Sequence, residues 1–69
     1  MNATGIQAGI ASLLLMNGYD KARVMVLWDG GDAVCSVHVR GAPQAMTIKL
    51  LSWLNGSVGV QTATVKIRR

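Results

Sequence analysis

The stretch RVMVLWDGGDAVCSVHV, residues 23–39, decides the fold of this chain. Two runs rich in valine and other strand-forming residues, 23–28 and 33–40, flank the turn sequence DGGD. Gly30 and Gly31 readily adopt the positive φ angles that a two-residue hairpin turn requires. The stretch therefore predicts a β-hairpin whose loop is Gly30-Gly31.

The register of this hairpin follows from its loop. A two-residue loop pairs Trp28 with Ala33 and Val26 with Cys35, and this alternation makes one face of the hairpin wholly apolar. The opposite face grades from apolar pairs near the turn to basic pairs at the open end, in the order Leu27 with Val34, Met25 with Ser36, Arg23 with His38, Lys21 with Arg40. A shift of one residue would bury the arginines, so we expect this register alone.

The segments on either side of the hairpin predict two helices and a last strand. Residues 5–17 place apolar side chains at helical intervals between a capping pattern that starts at Thr4 and an Asn-Gly stop. Residues 43–55 begin at a proline and end at a second Asn-Gly pair. From Val58 onward, alternating β-branched residues predict a strand that carries basic side chains on its outer face.

These elements predict an α+β fold in the order α-β-β-α-β, formed by residues 1–69 as a single small domain. We expect a two-layer sandwich in which a three-stranded antiparallel sheet carries two helices on its apolar face. A right-handed crossover through the second helix should lead to the last strand. The other face of the sheet should stay uncovered.

Size and composition limit what can stabilise this domain. A chain of 69 residues buries only about 60% of the surface that its unfolded form exposes. Its one cysteine, Cys35, cannot close an intramolecular disulfide, and one Cys, one His and three Asp show no spacing typical of a metal site. We therefore expect no metal and no cofactor, and we expect oligomerisation to supply the missing stability.

Membrane insertion and secretion are also not indicated by the sequence. The longest apolar run, residues 8–16, is far shorter than the roughly 20 residues that a membrane-spanning helix needs. No basic residue precedes this run and no small-residue cleavage site follows it, so we interpret the whole chain as mature protein. A reduced, lone cysteine then favours a cytoplasmic location.

No residue pattern in the chain predicts catalysis. Cys35 and His38 are the only nucleophile and general-base candidates, and an odd spacing along one strand directs their side chains to opposite faces. Trp28 and Trp53 fall on inward faces, which favours a role in the core over stacking with bases. We therefore expect a protein that is not an enzyme and has no small-molecule substrate.

Apolar residues outside the core pattern favour a protein-interaction module as the leading hypothesis. The first helix is apolar nearly all round, and the outer face of the hairpin carries a second apolar cluster. We expect a homodimer that also binds an unidentified protein as an inhibitor, adaptor or regulator. The predicted partner-binding residues are Met25, Leu27, Val34, Leu15 and Met16.

A net charge of +4 supports an alternative hypothesis, weak nucleic-acid binding by a basic sheet face and the C-terminal strand. The residues concerned are Arg23, His38, Arg40, Lys66, Arg68 and Arg69. Basic side chains also keep sheet surfaces soluble and protect edge strands, so the charge alone does not choose between binding and solvation. Both interpretations stay open at this point.

Overall fold

The structure, a computed structural model, describes residues 2–68. It confirms the α+β fold and the predicted order of elements. The elements are α1 (Ala3–Met16), β1 (Arg23–Asp29), β2 (Asp32–His38), α2 (Gln44–Asn55) and β3 (Thr62–Arg68).

Both helices begin at positions that differ slightly from the prediction. Asn2 has extended backbone angles and caps α1, because its side-chain Oδ1 accepts a 2.8 Å hydrogen bond from the backbone N–H of Gly5. The capping pattern predicted to start at Thr4 is therefore wrong. Pro43 is the cap residue of α2 and not its first helical residue. Within residues 2–68, neither helix has the length and apolar content needed to cross a membrane.

Within β1 and β2 the hairpin has the predicted antiparallel register, whereas Lys21 and Arg40, predicted as a further pair, lie in turns beyond both strands. Trp28 lies opposite Ala33, and Arg23 lies opposite His38. Gly30 and Gly31 have φ angles of 55° and 108°, which residues with a side chain rarely adopt. The side-chain pattern of the sequence was sufficient here because the turn specifies the register.

The third strand differs from the prediction of an all-antiparallel sheet. The strand order is β1-β2-β3, and β3 runs parallel to β2, so the sheet is mixed. The reason is that α2 carries the chain back along the sheet before β3 begins, and strands joined by such a crossover run parallel. Backbone hydrogen bonds from Gln61 N and Thr62 N to the Gly31 carbonyl oxygen fix the start of this pairing.

Both helices pack on one face of the sheet and enclose a single core. α1 lies over β1, and α2 lies over β3. The fully enclosed side chains of this core are Ile6, Ile10, Leu14, Cys35, Leu50 and Leu54. Cys35 has no exposed surface, as its predicted inward position requires. The helices meet where the ring of Trp53 lies against the backbone of Gly9, a contact that the sequence did not reveal.

Candidate interaction surfaces

The sheet face opposite the helices, which we call the open sheet face, consists of four cross-strand rows. The strand registers define these rows from the open end of the hairpin to its turn as Arg23-His38-Arg68, Met25-Ser36-Lys66, Leu27-Val34-Thr64 and Asp29-Asp32-Thr62. Most of these side chains are exposed, and none is buried. The face is therefore basic at one end, apolar in the middle and acidic at the turn.

The middle of the open sheet face exposes large apolar side chains. Met25 and Leu27 are neighbours on the outer side of β1, and they are 67% and 66% exposed. Val34, directly opposite Leu27 on β2, is half-buried. Exposed apolar side chains that adjoin one another are typical of contact surfaces, and methionine adapts easily to a partner.

The basic end of this face contains two shallow grooves that share Arg23 and His38. The first groove has a volume of about 310 Å³, and its lining includes Met25 and Arg68. The second has a volume of about 340 Å³ and is lined by Lys21, Arg23, His38 and Arg40. Arg23 and Arg68 flank His38 on the two neighbouring strands, so positive charge is concentrated at this end of the face and attracts anionic groups.

The turn end of the face carries the opposite charge. Asp29 and Asp32 face each other in the last row of the hairpin. The hydroxyl of Thr62 donates a hydrogen bond to Oδ1 of Asp32, so the neighbouring strand holds this carboxylate in place. The sequence predicted these carboxylates in the turn. The strand pairing shows that they form the acidic end of the open sheet face.

A second apolar surface lies in the helix layer, at the C-terminal end of α1. Leu15 and Met16 are 60% and 80% exposed there. The core-facing stripe of α1 contains Ile10 and Leu14, so Leu15 and Met16 are directed away from the sheet. These two apolar surfaces consequently belong to opposite layers.

The structure separates the five predicted partner-binding residues into two groups. Met25, Leu27 and Val34 lie together on the open sheet face, whereas the other two lie on the helix side. Among the predicted nucleic-acid contacts, His38 lies between two arginines in one row, Lys66 lies in the next row, and Arg40 lines the adjoining groove. Arg69 lies outside the described residues. Lys21 also lines that groove; the sequence predicted it on this face opposite Arg40, but it was not included among the predicted nucleic-acid contacts.

Cys35 and His38 are not brought together by the fold. Cys35 is enclosed in the core, while His38 is exposed on the open sheet face. Burial raises the pKa of the Cys35 thiol, which disfavours the nucleophilic thiolate. Within residues 2–68, no three His, Cys, Asp or Glu side chains cluster in a way that could hold a metal ion.

Comparison of the chain with protein-family models, curated proteins and solved structures found no match.

Proposed function

We propose that this protein is a small, non-enzymatic interaction module that self-associates and acts on a partner protein as an inhibitor, adaptor or regulator. The observation that carries this proposal is the presence of two exposed apolar pairs, Met25 with Leu27 and Leu15 with Met16, in opposite layers of one small domain. A domain with two such surfaces is able to contact two molecules at once. The cytoplasm is the proposed compartment, because the single cysteine is a free thiol in the core.

Self-association is the part of this proposal that is tested first. We expect a dimer or larger species at micromolar concentration, because burial of exposed apolar side chains compensates for a marginal core. Sedimentation velocity over a concentration series measures this directly. Serine substitution of the apolar pair that forms the contact should lower the association constant tenfold or more, at about 25 cal/mol for each Å² of lost apolar burial.

The matched control for these serine variants is Val58→Ser. Val58 is 86% exposed and lies between α2 and β3, outside both apolar pairs. This substitution should leave the association constant unchanged. A stable 7.3 kDa monomer at every concentration would contradict the proposed self-association.

Nucleic-acid binding is the second candidate function, and the two grooves that share Arg23 and His38 favour it. About four clustered cations should give weak, sequence-independent binding at low salt. Between about 50 and 200 mM salt, affinity for duplex DNA should fall on the order of a hundredfold, because each phosphate contact releases a condensed counterion. Electrophoretic mobility shifts in a salt series measure this loss.

The charge-reversed variant of Arg23, Arg40, Lys66 and Arg68 is the control for this binding. It should abolish the salt-sensitive shift if the basic end contacts phosphates. If no shift occurs even at low salt, these cations only keep the sheet surface solvated. A tight, sequence-selective complex at physiological salt would instead replace the interaction-module proposal with nucleic-acid recognition.

A further inference from the structure

We infer that two copies of this chain pack their open sheet faces against each other, with strand directions reversed, so that Arg23 of each copy meets Asp29 of the other. This arrangement rests on the proposed self-association and assigns it to one surface. It goes beyond that proposal because it specifies the symmetry axis and the pairs of residues in contact.

The charge on the open sheet face is nearly balanced, unlike that of the whole chain. The face carries three cations, Arg23, Lys66 and Arg68, and two carboxylates, Asp29 and Asp32, for a formal charge of +1. The chain as a whole carries +4. Two copies that stack these rows therefore place only part of their excess positive charge between them, with Lys21 and Arg40 beyond the rows at the basic end.

The charges on this face are separated along the strands. Arg23 and Asp29 are six positions apart on β1, which corresponds to about 20 Å of extended chain. Apolar side chains occupy the space between them. The outer side of β1 thus has the order cation, Met25, Leu27, carboxylate. When a second copy of this strand lies over the first in the reverse direction, each cation faces a carboxylate and each methionine faces a leucine.

This polarity selects one of two symmetric ways to stack the faces. A two-fold axis parallel to the strands would lay the arginine row of one copy on the arginine row of the other. An axis across the strands lays the arginine row on the aspartate row and places each β1 over its counterpart. Electrostatic complementarity therefore favours the second axis.

The selected arrangement also pairs the apolar side chains. Met25 of one copy lies over Leu27 of the other, and His38 approaches the second copy's Asp32. Packed sheets lie about 10 Å apart with their strands within about 30° of alignment. An extended arginine and a carboxylate together bridge such a gap, while methionine and leucine fill its centre.

The size of the face sets the expected strength of the dimer. Three strands spaced about 4.8 Å apart and about 20 Å long give a plan area of roughly 300 Å². A standard interface buries about 800 Å² on each partner, so this one lies below the standard range, among weak and transient contacts. A dissociation constant in the micromolar range or weaker is consistent with this area.

Nucleic acid fits the whole face less well than a second copy does. A strand of phosphates laid along β1 would meet Asp29 and Asp32 at one end, where charge repels it. The open sheet face has no aromatic side chain for stacking with bases, since Trp28 belongs to the inner side of β1. The apolar centre would also remain unpartnered.

A charge-swap experiment tests the arrangement. Arg23→Glu and Asp29→Lys should each lower the association constant about tenfold or more, because two attractive pairs in the dimer become repulsive. An equimolar mixture of these two single variants should restore association to near the wild-type level, since both pairs are then attractive again. Sedimentation velocity of each variant and of the mixture gives the measurement.

The matched controls are Lys49→Glu and Asp20→Lys, which change the net charge equally. Both residues are exposed, and Lys49 lies on α2 while Asp20 lies between α1 and β1, so their variants and their mixture should associate like the wild type. Circular dichroism confirms that each variant is folded.

The possible outcomes separate the inference from the proposed function. Wild-type protein that stays monomeric contradicts both. If the wild-type protein dimerises but the mixture of charge-swapped variants does not regain association, the proposed self-association stands and the antiparallel face-to-face arrangement is wrong. If nuclease treatment dissociates the dimer, the open sheet face binds nucleic acid, and the face-to-face arrangement is again wrong.

Discussion

The Leu14→Ala chain is expected to lose most of its folded population at room temperature. Leu14 has no exposed surface, and its side chain points from α1 into the core. Truncating such a leucine costs about 2–5 kcal/mol through lost burial and the cavity left behind. A core in a domain of this size rarely supplies more than about 3–5 kcal/mol in total. Urea denaturation followed by circular dichroism gives the free energy of unfolding.

The adjacent residue supplies a control of identical chemistry. Leu15 is 60% exposed, so Leu15→Ala should change the free energy of unfolding by no more than about 0.5 kcal/mol. Both variants should be compared at concentrations where the wild type is monomeric, because dimer formation adds to apparent stability. Equal losses for both variants would contradict the packing of α1 described above.

The Gly9→Ala chain is expected to be less stable than the wild type, although alanine favours helices over glycine by about 1 kcal/mol. A Cβ atom at Gly9 would overlap Cη2 of Trp53 and would lie 2.5 Å from its Cζ2. Overpacking of this kind costs about 1–3 kcal/mol, since the ring or the helix must move. We expect a net loss of about 1–2 kcal/mol after the helix-propensity gain. Thermal and urea denaturation both report it.

A double-mutant comparison isolates the cause of this loss. In a Trp53→Leu background the ring is absent, so Gly9→Ala should become neutral or stabilising because only helix propensity remains. The same destabilisation in both backgrounds would show that Trp53 is not the reason for glycine at this position.

The hairpin and its outer face were predictable because their determinants are local. The positive-φ glycines and the period of two along each strand specify the register without reference to the rest of the chain. The same local logic predicted the exposed Met25 and Leu27 and the inward Cys35, and the structure confirms all three positions. Capping at Asn2 was missed because Thr4 offered a competing local pattern.

The sequence by itself determined the class of the fold, the order of its elements, the hairpin register and the residues that alternate to the outer side of each strand. Tertiary structure alone decided that β3 lies parallel to β2. It also decided that Gly9 receives the ring of Trp53 and that the two apolar surfaces belong to opposite layers. The physical reason is range: turns and side-chain periodicity act over a few residues, whereas these features depend on how segments distant in the chain pack. The position of Arg68 is of the second kind, because it lies beside His38 at the basic end of the open sheet face only when β3 pairs in parallel with β2.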